Sequence, residues 1–162
     1  MKIGKLAVNF LKIKLTIEKK NTLKKETYHT YDTLLNVPVL SDGLPEHQID
    51  VYHAPKEKKK NACVIYVHGG AYVFSNRKQY KKYAEEFLEY GYDVITVDYR
   101  LNDGKRNIKD ILFDAFSALN YIESHKKELG IAGEKLILHG DSAGGHICLF
   151  SSLINHHPEI SK

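Results

Sequence analysis

The chain has 162 residues, 43% of them hydrophobic and 27% charged, which suits a globular domain with a real core. Its formal charge of +4 is modest and concentrated in the N-terminal third. No stretch approaches the ~20 apolar residues of a membrane span, and Lys12 and Lys14 interrupt any apolar run of signal-peptide length.

Residues 1–26 read as a basic, amphipathic extension or cap segment. Ile3, Leu6, Ala7, Phe10 and Leu11 fall at helical spacing, and Leu11, Ile13, Leu15 and Ile17 then alternate with polar residues. From residue 27 the chain reads as one α/β domain. Tyr28 to Leu35 forms a possible first strand, followed by turn markers at Pro38, Asp42-Gly43 and Pro45. Gln48 to Tyr52 alternates as a strand and Pro55 stops it. Lys56 to Lys60 is a charged loop without the aromatic interleaving of a nucleic-acid surface, so no nucleic-acid partner is expected.

Ala62 to Val67 is almost continuously apolar, the mark of a strand covered on both faces. Tyr80, Tyr83, Ala84, Phe87 and Leu88 recur with helical period, and Gly91 is placed to end that helix. Asp93 to Asp98 holds a further strand. Ile108, Ile111, Leu112, Ala115, Leu119 and Ile122 mark a long helix. Leu136 to Leu138 is a short buried strand, and Ala143 to Ile154 a final helix. This alternation implies a mostly parallel sheet with helices on both faces. Cys63 and Cys148 both lie in apolar segments and read as free, buried thiols, so a cytoplasmic location is expected.

The last strand runs into Gly140-Asp141-Ser142-Ala143-Gly144, a Gly-x-Ser-x-Gly turn at the start of a helix. Such a turn lifts the serine hydroxyl clear of the backbone. Gly140 and Gly144 leave room where strand and helix cross, and the helix N-terminus presents free N–H groups and a positive dipole end. Ala62 to Val67 ends in His68-Gly69-Gly70-Ala71, a second glycine-rich turn at a C-terminal strand end. Ligands bind at that edge of such sheets.

Together, His68-Gly69-Gly70-Ala71, Asp98-Tyr99-Arg100-Leu101 and Gly140-Asp141-Ser142-Ala143-Gly144-Gly145-His146 resemble the α/β-hydrolases of the hormone-sensitive-lipase and feruloyl-esterase-like type. The resemblance covers roughly residues 48 to 155. It implies an incomplete α/β-hydrolase fold ending after the elbow helix, and a serine ester hydrolase acting on a small-molecule ester through an acyl-enzyme. Ser142 would be the nucleophile. The backbone N–H groups of Gly70, Ala71 and Ala143 would form the oxyanion hole, with His68, Gly69, Gly140 and Gly144 structural. Tyr72 and Phe74 either line the acyl pocket or pack against a cap. No metal cluster appears and no cofactor is expected.

In this fold the triad runs serine, acid, histidine along the chain. After Ser142 the sole carboxylate side chain is Glu159, and no histidine follows it. The chain is therefore expected to be truncated before its acid and base, and weak or inactive alone. His146 is close enough to Ser142 to be weighed as a surrogate base, whereas His156 and His157 lie about 20 Å along a continuous helix. The strand at Leu136 to Leu138 would become an open sheet edge. That edge suggests pairing with a second copy or a complementing chain, or a non-catalytic remnant that acts as an interaction subunit.

Overall fold

A computed structural model describes residues 31–131 and 133–157. The helix and strand expected within residues 1–26 lie outside the described residues. Among the described residues, five strands form one sheet: β1 (Thr33–Pro38), β2 (Gln48–Tyr52), β3 (Ala62–Val67), β4 (Asp93–Val97) and β5 (Lys135–Gly140). The α-helices are α1 (Lys81–Glu89), α2 (Ile108–Ser124) and α3 (Ala143–His156), and a 3-10 turn, Arg77–Tyr80, leads into α1.

The sheet order is β1-β2-β4-β3-β5. The strands β4, β3 and β5 are parallel, while β2 and β1 add on antiparallel. The sheet is thus mixed. Only residues 39–47 join β1 to β2, too few for the crossover that parallel neighbours need.

Of the first strand expected at Tyr28 to Leu35, residues 28–30 lie outside the described residues; β1 starts at Thr33 and runs through Pro38, which was expected to mark a turn. On a sheet margin the missing proline N–H costs no ladder bond. The β1 register shifts between Leu34 and Val37, where Asn36 has φ 58°.

Every residue of β3 and β4 is buried, and their side chains separate into two layers. Cys63, Ile65, Val67, Ile95 and Val97 pack against Ile111, Ala115, Ala118 and Ile122 of α2 and Ile147 of α3. On the opposite face, Val64, Tyr66 and Val94 meet Tyr80, Ala84 and Leu88. Helices therefore cover both faces. A capping box between Asn107 and Asp110 fixes where α2 starts, satisfying N–H groups that the helix leaves unpaired. Cys63 and Cys148 are both free and buried.

Candidate active site

The chain leaves β3 towards α1 on one face of the sheet, and leaves β5 towards α3 on the other. Val67 and Gly140 are register partners at the C-terminal ends of those two strands. The loops diverge from adjacent points at the C-terminal edge of the parallel strands, the edge at which such sheets hold ligands.

Close crossing dictates the glycines here. A Cβ on Gly144 would stand 2.0 Å from the Val67 carbonyl oxygen, and one on Gly140 would stand 2.5 Å from Gly144 C. No side chain fits between β3, β5 and the first turn of α3.

Ser142 sits at the tip of this turn, with φ 50° and ψ −115°. A positive φ is costly for an L residue and persists only when the surroundings impose it. Here the β5–α3 crossing imposes it. Ser142 is exposed, and its hydroxyl has no hydrogen-bond partner among the described residues. The N–H of Gly144 donates to the Asp141 carbonyl oxygen at 2.8 Å, and the N–H of His146 to that of Ser142 at 3.1 Å.

The second turn lies alongside. His68 is buried, with Nδ1 2.8 Å from the Gly69 carbonyl oxygen and Nε2 3.4 Å from Asp98 Oδ1. Its ring stacks on Tyr99 with centroids 4.2 Å apart. Gly69 N–H donates to Asp141 Oδ1 at 2.8 Å, and the Tyr66 hydroxyl donates to the same oxygen at 3.3 Å. Asp141 therefore joins the two turns. Gly70 holds φ 117°, and a Cβ there would meet the Phe74 carbonyl oxygen at 2.0 Å. Ala71 and Tyr72 also have positive φ, at 52° and 62°. The N–H groups of Gly70, Ala71 and Ala143 have no acceptor among the described residues.

Phe74 is buried, whereas Tyr72 is half-buried with its hydroxyl bonded to His146 Nδ1. His139 packs beside the rings of Tyr66 and Phe87, 5.1 and 5.3 Å between centroids. His156 ends α3, far from Ser142. Among the described residues, no imidazole or carboxylate is hydrogen-bonded to the Ser142 hydroxyl.

Asp98 and Arg100 are engaged in the framework. Arg100 grips Asp114 through Nε and Nη2, both at 2.7 Å. His47 approaches the same carboxylate through Nε2 at 3.0 Å. Asp98 binds Arg77, whose guanidinium is buried and also meets Asp50, Asn36, Gln48 and the Pro45 carbonyl. Burial alone would lower the Arg77 pKa, but the bonds to Asp50 and Asp98 outweigh it and raise it. Arg77 carried no signal in the sequence. It stands in a polar loop, and Asn36 and Asp98 lie 41 and 21 residues away.

Among the described residues, no helix is long and apolar enough to cross a membrane, and no group of three or more His, Cys, Asp or Glu could hold a metal ion.

Known proteins share this architecture. Mouse (Mus musculus) hormone-sensitive lipase is 32% identical over 103 residues, which is 63% of this chain and 13% of the lipase. The arylesterase of Saccharolobus solfataricus is 29% identical over 104 residues, covering 63% of this chain and 33% of that enzyme. Esterase B from Lactobacillus rhamnosis, solved with a tributyrin phosphonate inhibitor, superposes with a TM-score of 0.83 at 21% identity. That match covers 95% of this chain and 50% of the esterase.

The chain thus spans 13% and 33% of those two curated relatives. The BD-FAE family model matches residues 49–162, well over half of the sequence. The chain belongs to the BD-FAE family, within the esterase- and lipase-like α/β-hydrolases of hormone-sensitive-lipase type.

Proposed function

We propose that Ser142 is the nucleophile of a carboxylic-ester hydrolase. The single observation that carries this reading is the placement of an exposed, positive-φ serine beside a turn whose Gly70 and Ala71 N–H groups have no acceptor. The Ser142 oxygen attacks the ester carbonyl carbon and gives up its proton to a base. The carbonyl oxygen becomes an oxyanion, held by the N–H groups of Gly70, Ala71 and Ala143. Collapse breaks the bond to the alcohol, which leaves with the proton. Water then releases the acid from the acyl-serine by the same route. Each oxyanion donor of this type is worth about 3 kcal/mol in the transition state.

The base and its orienting acid come from outside the described residues. Residues 31–157 supply the nucleophile and the oxyanion donors, so the 162-residue chain alone turns over slowly or not at all. The test is hydrolysis of p-nitrophenyl butyrate by the chain beside Ser142→Ala. Any turnover of the parent should fall to background in the variant. Equal, substantial turnover by both would defeat the assignment of Ser142.

A second reading is favoured by β5. Among the described residues it is one of the two margin strands, and Ile137 on it is 42% exposed. A groove of about 810 Å³ beside it is lined by Leu136, Leu138, Phe116, Leu119 and Ile154. Here the chain pairs through this edge with a second copy and acts as an interaction subunit. Sedimentation equilibrium discriminates: a dimer that dissociates when Ile137 becomes Lys supports pairing, and a monomer at high concentration rejects it.

A further inference from the structure

Gly70 and Ala71 lie between two attachments that tie their turn to the β5–α3 elbow. On one side, Gly69 N–H donates to Asp141 Oδ1 at 2.8 Å. On the other, the Tyr72 hydroxyl is hydrogen-bonded to Nδ1 of His146, one helical turn beyond Ser142. The remaining bonds hold the turn elsewhere. Val73 N–H closes it onto the Gly70 carbonyl at 3.0 Å, and Asn102 N–H tethers the Tyr72 carbonyl at 2.7 Å.

Ala71 and Tyr72 keep positive φ although neither is glycine. Such backbone persists only where contacts over-determine it, and removing one attachment should loosen it. The His146 ring is held on several sides. Its edge meets Phe150 at 4.6 Å between centroids and Tyr72 at 5.9 Å, and its Nδ1 is engaged by the hydroxyl. A base for Ser142 needs a ring nitrogen aimed at the serine oxygen, and no such bond exists among the described residues.

We infer that the Tyr72–His146 hydrogen bond is the second of two anchors that set the Gly70 and Ala71 N–H groups against Ser142. His146 is thereby a positioning residue, not the base. This inference rests on the reading of Ser142 given above for its catalytic consequence, but its structural half can be measured separately.

The experiment compares the parent chain with Tyr72→Phe, His146→Leu, the double variant and His146→Asn. Amide hydrogen exchange is followed at Val73 and Asn102, whose N–H groups bond to this turn. Loss of one neutral hydrogen bond should speed exchange there by about threefold to tenfold, with amides of β3 and β4 unchanged. The double variant should be no faster than either single one. His146→Asn should restore protection, because a carboxamide can place an acceptor or a donor near the former Nδ1. In parallel, Ser142-dependent hydrolysis of p-nitrophenyl butyrate should lose kcat rather than KM in Tyr72→Phe and His146→Leu, and regain it in His146→Asn.

Unchanged exchange in Tyr72→Phe overturns the anchor. Hydrolysis by His146→Asn that drops to the Ser142→Ala level overturns it too, because His146 would then be the base. A parent chain with no Ser142-dependent hydrolysis agrees with a base supplied from outside the described residues and removes only the kinetic readout. The exchange rates still decide whether the anchor holds the turn.

Discussion

Strands β3 and β5 are neighbours, parallel and in continuous register from Ala62 and Lys135 to Val67 and Gly140, yet they live in different environments. In β3 all six residues are buried, with strands on both sides and helices on both faces. In β5 exposed and half-buried residues alternate, because nothing among the described residues pairs with its far edge. Apolar content does not separate them, since Leu-Ile-Leu is as apolar as Val-Ile-Tyr. The number of ladder neighbours does. The centre of the sheet carries stability, and its margin carries the serine.

The strongest way to break this contrast is to fill the crossing that joins the two strands. Gly144→Ala places a Cβ against the Val67 carbonyl, where backbone must shift. We expect a loss of about 3 kcal/mol or more, read by urea denaturation. A loss below 1 kcal/mol would show that the elbow floats on the sheet.

A paired truncation sharpens the comparison. Ile65 is fully buried and Ile137 is 42% exposed. Ile65→Ala should cost about 3 to 4 kcal/mol, within the range for a core isoleucine, and Ile137→Ala less than about 1 kcal/mol. Equal costs would mean that the β5 edge is covered in solution.

The two thiols extend the test to pH. Burial pushes Cys63 up to about 12 and Cys148 up to about 11, from an ordinary value of 9.0. Below pH 9 both thiols are protonated, folded or unfolded, and their stabilising effect is complete. Above it the unfolded chain releases thiol protons that the fold retains, so stability falls as pH rises. The fall continues to about pH 11 for Cys148 and about pH 12 for Cys63. Cys63→Ala should flatten the slope of stability against pH over a wider range than Cys148→Ala does, the difference lying between about pH 11 and pH 12.

The smallest effect lies at Ala71, whose φ of 52° is left-handed. Ala71→Gly relieves roughly 1 kcal/mol of backbone strain, partly offset by the greater freedom of glycine in the unfolded chain. A net gain of about 0.5 kcal/mol in urea denaturation is expected. A loss would mean that the alanine methyl packs usefully.

Much of this fold was legible because local pattern and tertiary environment agree. Ala62 to Val67 reads as a doubly covered strand and is one, and the helical period from Ile108 to Ile122 marks α2. The glycines at 140 and 144 could be read because only a close crossing explains them. β1 was harder. It is a margin strand with a register shift at Asn36 and a terminal proline, and neither feature follows the period-two rule. The polar framework was the least legible. His47, Arg77 and Asp114 are buried by partners distant in sequence, and no local pattern encodes such meetings. Tyr72 and His146 were each noticed, but their bond to one another depends on how the two turns converge.

Arg77 also bears on how the molecule assembles. Its guanidinium is 2% exposed and draws on Asn36 in β1, Gln48 and Asp50 in β2, and Asp98 just after β4. A buried guanidinium with half its partners missing is costly, so water must stay on it until all those segments have arrived. Dehydration of this one side chain therefore belongs to a late step in folding. The N-terminal hairpin and the end of the Gly70 loop are committed together, as one cooperative unit rather than two.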